Sequence, residues 1–291
     1  MSSRIAGWAL LGLLWAAAAA AESPPQHALW ELHGRHNTVY LLGSIHVLRA
    51  SDYPLAPAVE DAYRNSQSLL MEVNLDEMDS QQMQTEMLTS AMLPEGRNLE
   101  AVLGAQRYAR ASGLARTVGV ELSMFGQFAP WFVAEAVSQL QLAQLGFEAQ
   151  SGVEMHFLEL ARGDGKSITG LESVHDQIAL FLDMSMDAQA KYLLSSLEQA
   201  HDLPAQVADM VRAWKRGDTA WFETQMAAEL GSDPALYDTL IVARNRKWVP
   251  KIEALLNADR NYLVIVGTGH LIGRSSVLEL LDKDGIAATQ R

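Results

Sequence analysis

Short apolar runs closed by glycine or a carboxylate punctuate this chain, and between them lie longer stretches of helical period. Trp30 to Leu32 and Thr38 to Leu42, set around the polar turn His33-Gly34-Arg35-His36-Asn37, predict a strand pair. Ser68 to Val73 reads as a buried strand with Glu72 near its end, Ser167 to Gly170 as a short strand, and Leu263 to Val266 as another buried one. A last short strand is predicted at 286–289. Helical spacing runs up to Ser66, then over 76–92 with Met83 and Met87 on one face, a stripe that reads as core packing. Pro94-Glu95-Gly96 breaks the chain, and helices are predicted at 98–112 and 131–146. Ser151 reads as the N-cap of a helix over 152–161 that ends at Gly163-Asp164-Gly165. The middle, 174–256, is mostly helical, with Trp214, Trp221 and Trp248 as packing anchors, and a final helix is expected over 275–281.

Two of the apolar runs share one design. Val39-Tyr40-Leu41-Leu42 leads into Gly43-Ser44-Ile45-His46, and Leu263-Val264-Ile265-Val266 leads into Gly267-Thr268-Gly269-His270. Each is a strand-like run followed by Gly-x-x-His, which puts a histidine at the mouth of a sheet, where open α/β folds bind ligands. Side by side, such strands aim two imidazoles at one point, the start of a metal or acid–base site. The expected fold is therefore α/β (α+β), a central β-sheet built from two strand–Gly-x-x-His–helix halves with a large helical insertion.

The N-terminus adds a compartment. Arg4, the apolar stretch Ile5 to Ala18 and the small residues Ala19-Ala20-Ala21 read as a signal peptide over 1–21, followed by a linker at 22–27 and one domain over 28–291. The predicted product is exported, periplasmic or secreted, with no stable membrane insertion once the signal is removed. The chain has no cysteine, so disulfides and thiolate chemistry are excluded. A net charge of −13 disfavours nucleic acid and anionic membranes as partners.

Several familiar motifs fail. Gly165-Lys166-Ser167 lacks the first glycine of a phosphate loop, Gly267-Thr268-Gly269 lacks the third of a dinucleotide fingerprint, and no His-Glu-x-x-His is present. The surviving candidates are His46 and His270 as neutral nitrogen ligands, with Glu72 and Glu154 as carboxylates, Glu154 also suiting the first turn of a helix. Arg244, after the helical run 237–243, suits either that helix's C-terminus or a carboxylate or oxyanion clamp. Two imidazoles with one or two carboxylates and no thiolate suit a divalent Mn, Co, Zn or Fe, which lowers the pKa of bound water. A His–Glu pair can also activate water without a metal.

These segments, with Gly152-Val153-Glu154, Gly170-Leu171-Glu172, Arg244-Asn245-Arg246-Lys247-Trp248 and Gly267 to Gly273, resemble the TraB/PrgY/GumN family in its exported bacterial GumN-like branch. The resemblance spans about residues 28–289, and order and spacing carry it more than any single motif. It implies a fold related to Tiki ectodomains and erythromycin-esterase-like proteins. Tiki proteins are metal-dependent proteases, with Mn or Co implied; other relatives are linked to inhibition of a peptide pheromone. By carry-over, His46, His270 and Glu72 match the family's proposed metal and active-site set, with Glu154 and Arg244 beside them. The leading expectation is an exported metal-dependent hydrolase (divalent Mn, Co or Zn) acting on a peptide or protein substrate. In it His46 and His270 bind the metal, Glu72 is ligand or base, and Arg244 steadies substrate or oxyanion. The alternative is a non-catalytic binder that sequesters a peptide or glycan outside the cytoplasm, and a third option is a metal-free esterase using His46 and Glu72.

Overall fold

The computed structural model describes residues 26–76, 80–231 and 233–291. The expected signal peptide, 1–21, and most of the linker lie outside these residues.

The strands are β1 (Leu29–His33), β2 (Thr38–Ser44), β3 (Ser68–Val73), β4 (Ser167–Glu172), β5 (Tyr262–Gly267) and β6 (Thr289–Gln290). They form one mixed sheet in the order β4-β3-β5-β2-β1-β6. Its four central pairings fall into two kinds. β2 and β3 flank β5 in parallel and β4 runs parallel to β3, while β1 pairs with β2 antiparallel. Strands covered on both faces need continuous apolar sequence rather than alternation. Leu263 to Val266 and Leu41-Leu42 meet that need and are fully buried. Burying each such side chain contributes about 1.5–3 kcal/mol. At the sheet's edge β4 is partly exposed.

Between β2 and β3 lies α1 (Pro57–Asn65). Between β3 and β4 come α2 (Ser80–Ala91), α3 (Leu99–Leu103), α4 (Ala105–Thr117), α5 (Pro130–Gln144) and α6 (Val153–Asp164). Then follow α7 (Val174–Leu182), α8 (Met186–Gln199), α9 (Leu203–Lys215), α10 (Thr219–Leu230), α11 (Pro234–Tyr237), a π-helical segment Asp238–Val242, and α12 (Ala243–Leu255). After β5 come the single turn α13 (Thr268–Leu271) and α14 (Val277–Lys283). The main core surrounds the sheet; two smaller apolar clusters lie among α3, α4, α5 and α8 and around Ala91, Leu93 and Trp131. Among the described residues no helix is long and apolar enough to cross a membrane.

The predicted elements exist, with boundaries shifted for local reasons. The helix expected at 98–112 is two, because Gly104 sits at φ +77°, a left-handed backbone that ends α3 before α4 begins. Pro130 opens α5 at its first turn, where its missing N–H costs nothing. Ser151 does not cap α6. It belongs to a 3-10 turn, and Gly152 is the capping residue, without a side-chain bond. The last helix starts after Ser276, whose hydroxyl accepts from the Glu279 amide at 3.1 Å, and the last strand is 289–290 rather than 286–289. Of the predicted Met stripe, Met87 packs on the small cluster around Trp131, while Met83 is in none of the three apolar clusters. Of the three tryptophans, Trp248 is fully buried and the Trp214 indole N–H donates to the Gly43 carbonyl at 2.6 Å.

Candidate functional site

Parallel strands end together. The C-terminal ends of β2, β3, β4 and β5 share one edge of the sheet, the edge where α/β folds place ligands. Ser44 pairs with Gly267 in the β2–β5 register, so Gly43 faces Val266 and the two Gly-x-x-His segments are offset by one residue. Residues on the four strand ends and on helices α6, α7 and α12 gather there in two groups.

The first group is built on His46. Its Nδ1 lies 2.8 Å from Glu154 Oε1, and the Ser44 hydroxyl donates to that same oxygen. Glu154 stands in the first turn of α6, and α6 can approach only because residue 152 is glycine. A Cβ there would lie 2.2 Å from the His46 carbonyl oxygen, and the next amide, Val153, donates to the Ile45 carbonyl at 3.1 Å. Burial pushes the Glu154 carboxyl up, but His46 and Ser44 outweigh it and hold it below its usual range. Glu154 in turn raises His46 from 6.5 to about 9. The His46 side chain is 70% exposed, so water screens this attraction and the direction is what matters. An ionised Glu154 fixes the ring with N–H at Nδ1 and leaves Nε2 open.

The second group is buried and centres on Arg244. Its Nη2 donates to Glu72 Oε2 at 2.7 Å and to Glu172 Oε1 at 2.6 Å; its Nε donates to Glu172 at 3.2 Å. Its Nη1 lies 3.2 Å from the Leu240 carbonyl and 2.9 Å from His270 Nε2. A guanidinium only donates, so His270 Nε2 is the acceptor and its proton sits on Nδ1. That proton goes to Asn245 Oδ1 at 2.7 Å, while Asn245 Nδ2 donates to the Ser275 carbonyl at 2.9 Å. Burial lowers His270 to about 4, with Glu72 opposing and Arg244 assisting, so the ring is neutral. Glu72 also accepts from the Gly267 amide at 2.6 Å and from Gln177 on α7 at 3.1 Å. Burial pushes Glu72 up; His270, Arg244, His46 and the Gly267 amide together hold it below its usual range. Since His270 is itself neutral, Arg244, His46 and the amide carry that effect. Trp248 underlies both, its ring centroid 4.5 Å from His270 and 4.6 Å from the guanidinium carbon.

The two groups face one spot. A Cβ built on Gly267 would lie 3.2 Å from Glu72 Oε1, 3.7 Å from His270 Cδ2 and 3.8 Å from His46 Nε2. The expected trio therefore converges, yet its donors do not fit a divalent ion as placed. His270 turns a carbon toward the spot, its Nε2 is bound to Arg244, and Glu72 Oε2 is bound to Arg244 as well. Among the described residues no group of three or more His, Asp or Glu is positioned to hold a metal. Arg244 also has no donor left for a substrate oxyanion, since all five of its N–H groups have acceptors within the protein. It does not end a helix either, standing second in α12 directly after the π-helical segment. A cavity of about 870 Å³, lined by Met226, Tyr237, Leu271 and Arg274 among others, contains none of these groups. The five residues gather at the open strand edge instead.

All five residues singled out by sequence, His46, Glu72, Glu154, Arg244 and His270, meet here. Sequence reasoning gave no role to Glu172, Asn245, Ser44 or Gln177. Glu172 had a usable signal, since it ends β4 as Glu72 nearly ends β3 and the two strands pair through Val73 and Glu172. Gln177 had none.

The chain is 24% identical over 247 residues to an uncharacterized protein, YbaP, of Shigella flexneri, covering 85% of this chain and 88% of that one. It is 24% identical over 242 residues to the uncharacterized YbaP of Escherichia coli (strain K12), with 83% and 87% covered. A third relative, an uncharacterized protein of Treponema pallidum (strain Nichols), is 20% identical over 275 residues, with 90% and 82% covered. No solved structure matches. The family model that spans residues 28–290 is that of the TraB/PrgY/gumN family, and the chain belongs to that family.

Proposed function

We propose that this protein is an exported hydrolase that cleaves peptide bonds, with His46 as the proton-transferring group. The observation that carries the reading is the His46–Glu154 pair, which fixes one ring nitrogen at 2.8 Å and leaves the other open toward Glu72. Orientation of an imidazole by a carboxylate is the arrangement that makes histidine an effective acid–base group. Neutral His46 takes a proton at Nε2 from a water as that water's oxygen bonds to the substrate carbonyl carbon. The same proton then passes to the leaving amine as the C–N bond breaks. Glu154 stays ionised throughout and steadies the imidazolium. Glu72, ionised and rigidly held, has one lone pair left at Oε1 to accept from the attacking water or a substrate N–H. A substrate of chain form suits the place, because the imidazole is exposed at an open edge rather than enclosed in a cavity.

The test is turnover of a degenerate peptide library in excess chelator, comparing the wild type with His46→Ala. The expected loss is about 10²–10⁴-fold. Equal cleavage by both proteins, or none by either under any condition, would end this reading. The saturation of Arg244 favours a second one, in which the buried cluster is static and the protein binds peptides without cutting them. Peptides retained by the protein and recovered whole would favour that second reading.

A further inference from the structure

We infer that Arg244 is the resident cation of this site and stands in the place of a divalent metal. The inference deepens the hydrolase reading, and rests on it in taking this cluster as the working site. Two carboxylates and one imidazole, Glu72, Glu172 and His270, point at one guanidinium, and the Leu240 carbonyl completes the set. Glu72 and Glu172 each bring an oxygen within 2.7 Å of the same nitrogen, Nη2, so they converge on a point rather than lining a surface. That is how ligands surround an ion. The guanidinium offsets one of the two buried negative charges, where a divalent ion would offset both.

The guanidinium is also hard to displace. Its side chain is 12% exposed, it lies over the Trp248 ring, and the π-helical segment just before it supplies the Leu240 carbonyl. A divalent ion entering here must take His270 Nε2 and Glu72 Oε2 from Arg244 while sitting beside a fixed positive charge. Take the arginine away and the sign of the problem reverses. Two buried carboxylates and an imidazole with a free Nε2 then remain, a donor set of the kind that binds Mn, Co or Zn.

The experiment is metal retention on the full mature protein. Wild type, Arg244→Ala, Arg244→Met and Arg244→Ala/His270→Ala are each incubated with Mn, Co and Zn, desalted, and read by plasma mass spectrometry. The wild type is expected to retain far less than one ion per chain. The single variants are expected to gain about one, of the closed structural type, and the double variant to lose it. In parallel, ¹⁵N imidazole signals of wild-type His270 should report N–H at Nδ1 and stay unmoved on adding Zn. A wild type that holds one ion per chain and loses it in His270→Ala would overturn the inference, as would single variants that bind no more metal than the wild type. If neither variant folds, the wild-type retention and the His270 signals decide alone. Neither readout depends on turnover, so a failed peptide assay leaves this inference standing and a failed retention test leaves the peptide assay standing.

Discussion

Two histidines just past the ends of neighbouring strands reach opposite protonation states within one cluster. His46 faces the Glu154 carboxylate in water and is held charged; His270 faces a guanidinium in a dry setting and is held neutral. If neutral His46 is the base, kcat/KM rises with pH, with a midpoint above the ordinary 6.5 of histidine and toward about 9. Glu154→Gln removes the largest cause of that shift, so the midpoint should fall back toward 6.5 as the rate drops. A pH–rate profile of both proteins checks it, and an unmoved midpoint would exclude His46 as the titrating group. For Arg244, truncation leaves two buried carboxylates without their partner. Arg244→Ala should therefore cost about 3–5 kcal/mol in urea unfolding without added metal, the usual effect of breaking a buried ion pair.

At the scale of elements, the site depends on how closely α6 meets the end of β2. Gly152→Ala forces a methyl group into the His46 carbonyl and should lower stability by about 1–3 kcal/mol. Ser151→Ala, one residue earlier, should stay within about 0.5 kcal/mol because its side chain caps nothing. Thermal unfolding of the pair distinguishes a required glycine from a serine cap. The same pair shows what was legible in the sequence. The β2 and β5 runs were readable because strands buried on both faces must be apolar throughout, and a histidine three residues past a strand's glycine had to lie near the sheet's edge. Glu72 and Glu154 were readable for similar local reasons. The cap was not, because serine preference is a local signal and the close approach of α6 to His46 is a tertiary one. The break at Gly104 was missed because a helix pattern runs straight through it. Asn245 and Gln177 gain their roles only from His270 and Glu72, and Arg244 draws its own partners from β3, β4 and α13, all far apart in sequence.

For the whole molecule, the shifted groups set a window of stability. His270 has a folded pKa of about 4 against 6.5 unfolded, so the unfolded chain binds its proton first. Its contribution, about 3 kcal/mol for a buried group shifted this far, is present above pH 6.5 and is lost as pH falls toward 4. Glu72 and Glu154, held below their usual 4.5, add losses at lower pH still. His46 acts in the opposite sense: its contribution is complete below 6.5 and is lost as pH rises through about 9. Urea midpoints between pH 4 and 9 should form a dome, and His270→Gln should flatten its acid side between 6.5 and 4. The central claim, though, is chemical. Its most direct measurement is peptide-library cleavage by the purified protein in excess chelator, wild type beside His46→Ala. Cleavage by the wild type that falls at least about a hundredfold in the variant is the predicted result. Undiminished cleavage by His46→Ala would contradict the account.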